Sequence, residues 1–379
     1  MQKIVYLIDS LHKPHDSVLQ LLCQKINWMA ENSSSEIHVV LVEKSKKATC
    51  LQLSPKVNVT NLAINYDELH KFSFFKRIVE RVKKRMTHQK QLKRALADIQ
   101  PSIVVSIYGM INRWRMNIGG EGKHILEIHA NGNLLKNILT NNNGLFLFAF
   151  FKICFKFFFW KDIKSYDTVV FDTEELKQMW EDKNTHYVTH VISNPLMNYL
   201  EFQEKDTQKV MAIGDFQIER SFEQLISIWE SITSKYPEWR LHLYGNGEQQ
   251  MFKNMIKERH LSKTIQCYPF PIDMHEIWPK YSLYVQTTEV DQFGIRIMEA
   301  MANGIPCIAY DVPYGINELI RNEANGFLVT PNHQVDFACK LGVLIRNQSL
   351  RSAMSRQAYE DMRKYELNTI MNLWMDIYE

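Results

Sequence analysis

The chain has 379 residues, 45% hydrophobic and 23% charged, with 14 Gly and 11 Pro. That composition supports large buried cores in two domains and excludes a disordered or low-complexity protein. A net charge of +3 is small for a nucleic-acid binder, and no zinc-finger spacing or RNA-binding aromatic signature is present.

Read from the start, Ile4–Ile8 before Asp9 is too short for a signal-peptide core, so the expectation is a protein that is not secreted. Candidate strands in the first half are Lys3–Ile8, Ile37–Val42, Val57–Ile64, Ser102–Tyr108, His124–His129, Thr168–Asp172 and His190–Ser193. In the second half they are Lys209–Gly214, Arg240–Gly245, Ile265–Tyr268, Leu283–Thr287 and Pro306–Tyr310. Most are short apolar runs without clean alternation, as expected of strands covered on both faces. Helical patterns such as Phe222–Ser234 and Gln249–Arg259 separate them, and parallel pairing follows because parallel neighbours need long crossovers. The fold class is α/β: two doubly wound, Rossmann-like lobes with an interlobe cleft, ligands lying beyond the carboxyl ends of the strands.

The two halves differ in charge. Residues 1–200 hold 27 Lys+Arg against 18 Asp+Glu, and residues 201–379 hold 18 against 24. Two modules with different partners are implied. The polar stretch after Asn194-Pro195 separates them: 1–200, and 208–362. The six cysteines (Cys23, Cys50, Cys154, Cys267, Cys307, Cys339) contain no C-x-x-C pair, so neither a disulfide framework nor a zinc site is read.

Two basic segments stand apart. Residues 71–94 contain ten Lys or Arg and one acid, Glu80, with Phe75, Ile78, Val79, Val82 and Met86 at helical spacing. This amphipathic helix either packs on its own sheet with a solvated basic face or meets an anionic membrane surface. Leu145–Trp160 holds eight Phe, broken by Lys152 and Lys156 and far shorter than the roughly 20 apolar residues of a membrane span. It reads as a core helix or as an aromatic face at a membrane interface.

The chemistry concentrates in residues 287–331. Thr287 and Thr288 end a strand, Glu289 and Asp291 form an acidic loop, Phe293-Gly294 turns, and a helix runs from about Ile295 to Ala302 before Asn303-Gly304 and Pro306. Asp291 and Glu299 are eight residues apart, slightly over two helical turns, so both carboxylates share one side. The helix amino terminus supplies free amides suited to a phosphate. Gly245-Asn246-Gly247 has Gln250 in place of a third glycine and is not a dinucleotide fingerprint.

Acid, seven residues and Glu, with Phe-Gly inside and Glu-Ala-Met-Ala (299–302) following, resembles the signature of group-1 retaining glycosyltransferases of the GT-B fold. DVPYGINELI (311–320), NGFLV (325–329) and VMAIGDFQIERSF (210–222) fall where that family has its other blocks. The resemblance implies transfer of a sugar from a nucleotide-diphosphate donor, with retention and without a metal or other cofactor. The absence of any Asp-x-Asp agrees with this. By position, Glu299 accepts hydrogen bonds from the donor ribose, Asp291 contacts the transferred sugar, and the amides of Gly294, Ile295 and Arg296 approach the diphosphate or the sugar. Arg220 stands where the family Lys neutralises the leaving phosphate, His129 matches the family His near the sugar, and Gly214, which ends the strand of the upstream block, is a donor-binding position. Glu289 is a substitute first acid, and Glu318 belongs to the pocket or to its packing. Lys364–Tyr378 is assigned to the first lobe as the helix that crosses back.

Each residue also has a structural alternative: Glu299 as a salt-bridge partner, Asp291 as a helix cap, Arg220 as a surface cation, His129 as a satisfied strand-end histidine. The family's phosphate-binding Arg is Asp215 here, its first Glu is Asp291, and its amino-terminal glycine-rich loop reads Leu11–Asp16, with Lys13 as a substitute cation. The leading expectation is a cytoplasmic enzyme, peripheral on the inner face of the membrane, that uses a UDP-sugar to extend a cell-surface polysaccharide or lipid-linked glycan. The alternatives are an inactive partner of the same fold and a nucleotide-sugar epimerase, though epimerases lack the acid block.

Overall fold

The structure is a computed structural model. It describes residues 1–11, 17–43, 52–107, 122–129, 163, 165–180, 187–196, 201–216, 219–271, 273–289, 293–313 and 315–379. Asp291, Lys13 and the Phe-rich segment therefore lie outside the described residues, as does the side chain of Arg220. The chain divides into two units, Met1–Pro195 with Ile370–Glu379, and Leu196–Thr369.

In the first unit the strands are β1 (Lys3–Ile8), β2 (Glu36–Leu41), β3 (Asn58–Asn61), β4 (Ile103–Ile107), β5 (Lys123–Ile128), β6 (Thr168–Phe171) and β7 (Val188–Val191). They form one parallel sheet in the order β3-β2-β1-β4-β5-β6-β7. The chain winds outward from β1 to β3 and returns to place β4 beside β1, which makes β1/β4 the switch point. The unbroken apolar runs KIVYLI and IVVSI are buried because layers cover both faces. The last strand begins at Val188, not His190. Val188 is 58% exposed on the sheet edge, and its exposure hid a residue that hydropathy alone assigns to a core.

The helices of this unit are α1 (Ser17–Asn32), α2 (Phe74–Ile99) and α3 (Glu174–Trp180). The packing of α2 separates its two readings. His88, Leu92, Ala95, Leu96 and Ile99 are buried, whereas Ile78, Val79, Val82 and Met86 are exposed. The apolar stripe noted in the sequence therefore does not pack on the sheet. Among the described residues no helix is long and apolar enough to cross a membrane.

The second unit contains β8 (Lys209–Asp215), β9 (Arg240–Asn246), β10 (Ile265–Pro269), β11 (Leu283–Gln286), β12 (Cys307–Tyr310) and β13 (Gly326–Val329). They are parallel in the order β10-β9-β8-β11-β12-β13, so the switch point lies between β8 and β11. The candidate strands did not include β13. It is four residues long and starts on Gly326, where a Cβ would lie 2.5 Å from the Cys307 carbonyl oxygen. Such close backbone approach needs glycine, a residue that weakens a strand signal.

The helices of the second unit are α4 (Glu219–Thr233), α5 (Gln250–Glu258), α6 (Ile295–Ala302), α7 (Ile316–Leu319), α8 (Gln334–Arg346) and α9 (Gln348–Met362). A 3-10 turn at Arg363–Tyr365 precedes α10 (Leu367–Tyr378), so the final helix starts three residues later than Lys364. From Ile370 onward it counts with the first unit. Trp374 and Tyr378 are buried there, and the Tyr378 and Tyr6 hydroxyls are 2.7 Å apart.

Candidate functional site

In the second unit the carboxyl ends of β8, β11 and β12 carry Gly214, the loop that contains Glu289, and the segment leading to Glu318. Gly214 is needed for packing, because a Cβ there would come within 2.9 Å of the Phe222 ring on α4. Thr287 is buried, Thr288 half-buried and Glu289 exposed. Beyond the loop at 290–292, Phe293 (φ 64°) and Gly294 (φ 68°) are both left-handed.

Gly294 is the N-cap of α6, and among the described residues no side chain bonds to that cap. The first helical hydrogen bond runs from Met298 N–H to the Gly294 carbonyl, at 2.9 Å. The first-turn amides of Ile295, Arg296 and Ile297 thus have no intrahelical acceptor, and they sit at the positive end of the helix dipole. Gly315 locks the turn from behind. Its φ is 134°, and a Cβ would meet the Phe293 Cα at 2.8 Å. The downstream block therefore holds the Phe293-Gly294 backbone in place. Ile316 and Leu319 of α7 would be the neighbours of any Cβ on Gly294.

Glu299 and Arg296 form an ion pair, Nη1 to Oε2 at 2.7 Å, with 18% and 25% of their side chains exposed. The Arg296 guanidinium lies 4.9 Å from the centre of the Phe270 ring. Glu299 thus makes a salt bridge, its structural alternative, yet keeps one edge open to solvent. The N-cap position of α6 is Gly294, and Asp291 lies outside the described residues.

Glu318 is half-buried on α7. Burial and then its charge push the Tyr365 hydroxyl well above its ordinary range, and Tyr365 packs edge-on against Phe293 at 6.2 Å. Glu289 acts similarly at the other side: burial, with this carboxylate nearby, pushes Tyr310 up to about 12. Two hydroxyls here, Tyr310 Oη and Thr288 Oγ1, are buried with no hydrogen-bond partner among the described residues. Sequence reasoning placed Thr288 at a strand end and gave neither residue a role; Tyr310 ends β12 and Thr288 lies two residues past β11, where the switch-point rule directs attention. Arg220 is the second residue of α4, which follows β8.

His129 belongs to the other unit, one residue past β5. Its Nε2 lies 3.1 Å from Glu127 Oε2, and its Nδ1 faces Asp172 Oδ2 at 3.7 Å. Lys25 of α1 takes the other Glu127 oxygen, and its ammonium sits 2.9 Å from the centre of the Trp374 ring of α10. Burial opposes a charge on His129, but the Asp172 and Glu127 carboxylates outweigh it and raise the imidazole to about 9. Burial also works against ionised Glu127, and its two cationic neighbours nevertheless hold the carboxyl below its ordinary range. A chain of alternating charge therefore runs Lys25, Glu127, His129, Asp172, and it fixes an imidazolium at the carboxyl edge of the first sheet. Lys25, Glu127 and Asp172 were not among the sequence candidates. The available signal was an acid inside the otherwise apolar run Ile125–Ile128.

Among the described residues no cluster of His, Cys, Asp or Glu is arranged to hold a metal ion.

Comparison with known proteins gives this geometry a context. Residues 201–361 match the family described as "Glycosyl transferases group 1". An uncharacterized glycosyltransferase of Haemophilus influenzae is 24% identical over 297 residues, 76% of this chain and 79% of that protein. The poly(glycerol-phosphate) alpha-glucosyltransferase of Bacillus subtilis is 24% identical over 214 residues, 55% of this chain but 32% of that longer protein. Among solved structures, a variant of TarM from S. aureus in complex with fondaparinux, alpha-GlcNAc-glycerol and UDP superposes with a TM-score of 0.73. It shares 13% identity, and both chains are covered in full. At that identity the likeness establishes the fold, two α/β units of the GT-B type. Within the matched segment, residues 201–361, the chain is similar to the group 1 glycosyl transferases, and the signature block lies inside that match.

Proposed function

We propose that this protein is a retaining, metal-independent glycosyltransferase that moves a sugar from a UDP-sugar to a cell-surface polysaccharide or lipid-linked glycan. The observation that carries the reading is the amino terminus of α6, whose N-cap Gly294 offers no capping side chain and whose left-handed Phe293-Gly294 turn is held against Gly315. It is a preorganised set of amide donors and suits a diphosphate, whose charge grows as the glycosidic bond to the leaving phosphate breaks. Arg220, at the start of α4, supplies a guanidinium to the same developing charge. Glu299 accepts from the ribose hydroxyls, giving up part of its contact with Arg296. In the second unit Asp291, Glu289 and Glu318 orient the sugar, and in the first unit His129, held as a cation, is a donor for a sugar hydroxyl. The donor class is supported by the UDP in the TarM complex, and the acceptor class by the polymer named for the B. subtilis relative. A cytoplasmic site of action follows from the donor.

A second reading, an inactive partner that binds nucleotide without turnover, is favoured by one observation. Asp215 ends β8 where the family carries a phosphate-binding Arg. The test is UDP release from a panel of nucleotide sugars, with a membrane extract as acceptor and with chelator present. Turnover that Glu299→Ala and Arg220→Ala abolish is the expected result. Tight UDP binding with no turnover on any acceptor selects the inactive partner.

A further inference from the structure

The amino-terminal half of α2 has no role in the site described above, and it is built unlike the rest of the helix. Ile78, Val79, Val82 and Met86 are 48%, 53%, 52% and 68% exposed. Helical residues advance by about 100° each, so with Ile78 at zero, Val82, Met86 and Val79 fall at about 40°, 80° and 100°. The buried residues His88, Leu92, Ala95, Leu96 and Ile99 centre near about 305° on the same wheel, with Leu96, at about 0°, marking the edge nearest the stripe. The four exposed aliphatic side chains therefore form a stripe centred near about 55°, roughly 110° from the centre of the buried face.

Cations border that stripe. Lys90, Lys83 and Lys76 follow at about 120°, 140° and 160°, and Arg85 flanks the other side at about 340°. Over its whole length α2 has nine Lys or Arg and two acids, Glu80 and Asp98. Both acids fall near about 200°, off the stripe, and Glu80 is held by Lys83 at 2.9 Å. A stripe of aliphatic groups between ammonium groups matches one environment above others: the boundary where acyl chains meet anionic headgroups. A second copy of the helix would bring nine cations against nine. A nucleic acid would satisfy the charges and leave the aliphatic groups in water.

We propose that the amino-terminal half of α2 is a docking surface for an anionic lipid bilayer, with Ile78, Val79, Val82 and Met86 entering the headgroup–acyl boundary and Lys76, Lys83, Arg85 and Lys90 meeting lipid phosphates. The proposal extends beyond the catalytic reading and does not depend on it, because vesicle binding is read without donor, acceptor or turnover.

The test is co-sedimentation of the full chain with phosphatidylcholine vesicles and with vesicles in which part of the lipid is phosphatidylglycerol. Two variants accompany it, Val79→Ser/Val82→Ser/Met86→Ser and Lys83→Gln/Lys90→Gln, both on exposed positions, with thermal unfolding as the check on folding. The parent is expected to bind the anionic vesicles only, more weakly as salt rises. Each lysine removed is expected to lower the partition constant about fivefold, so the double variant loses roughly 25-fold. The serine variant is expected to lose binding at unchanged unfolding temperature. Absence of parent binding, equal binding to neutral vesicles, or retention by both variants overturns the proposal. So does a dimer in solution that the serine variant converts to monomer, since a second copy then covers the stripe.

Discussion

Glu127 and His129 stand two residues apart on the same side of β5, and the carboxylate of the first accepts a hydrogen bond from Nε2 of the second at 3.1 Å. Asp172 closes on the other ring nitrogen from β6's carboxyl end. An imidazole between two carboxylates in a buried setting stays charged at neutral pH, and the raised value of about 9 ties it to stability. The folded pKa lies above the unfolded value, so the stabilisation is complete below about 6.5 and lost as pH rises toward 9. Between pH 6.5 and 8 the first unit is expected to lose about 2 kcal/mol. Urea unfolding at several pH values should show this slope in the parent and a flat profile in His129→Gln. A parent without the slope refutes the charged histidine.

Lys25 tests the other end of the chain. Burial lowers its ammonium to about 8, against the pull of Glu127. Lys25→Met leaves a buried carboxylate with one cation fewer and is expected to cost about 3 kcal/mol. Lys25→Met/Glu127→Gln removes both charges and is expected to recover part of that loss. Chemical denaturation of the two variants reads the coupling directly.

The pair Arg296–Glu299 is spaced i,i+3 on one helix and keeps 25% and 18% of its side chains exposed, so it contributes only about 0.2–0.5 kcal/mol to stability. Glu299→Ala is therefore expected to unfold like the parent. It is also expected to bind UDP at least tenfold more weakly, since a charged acceptor for hydroxyls is worth about 1.5–3 kcal/mol. Calorimetric titration with UDP checks the second expectation and thermal unfolding the first. Unchanged UDP affinity would return Glu299 to a purely structural role.

Gly315 reads out the turn behind α6. With φ at 134° and Phe293 Cα 2.8 Å from any Cβ, Gly315→Ala must displace the Phe293-Gly294 backbone. A stability cost of about 1–3 kcal/mol is expected, and UDP affinity should fall more than in a control such as Val335→Ala, whose parent side chain is 80% exposed on α8. Equal affinities would mean that the α6 amides do not hold the diphosphate.

Much of this molecule was legible in one dimension. Apolar runs such as Lys3–Ile8 and Leu283–Gln286, separated by helical patterns, specify parallel sheets because only long crossovers join parallel neighbours. The α6 segment was equally readable, since Phe293-Gly294, Glu299 and Asn303-Gly304 lie within a dozen residues and their geometry is local. Boundaries at sheet edges were less so: Val188 looks like core and is exposed, and Gly326 looks like loop and is strand.

Sequence by itself determined the class, the two-module division and the family block, because periodicity and turn chemistry act over a few residues. Tertiary structure alone decided what converges on His129: Lys25 and Glu127 are 102 positions apart, and Trp374 arrives from the far end of the chain. It alone also decided that the aliphatic stripe of α2 faces outward. A helix's periodicity records that one face is apolar, but the sheet's topology chooses which face meets the core.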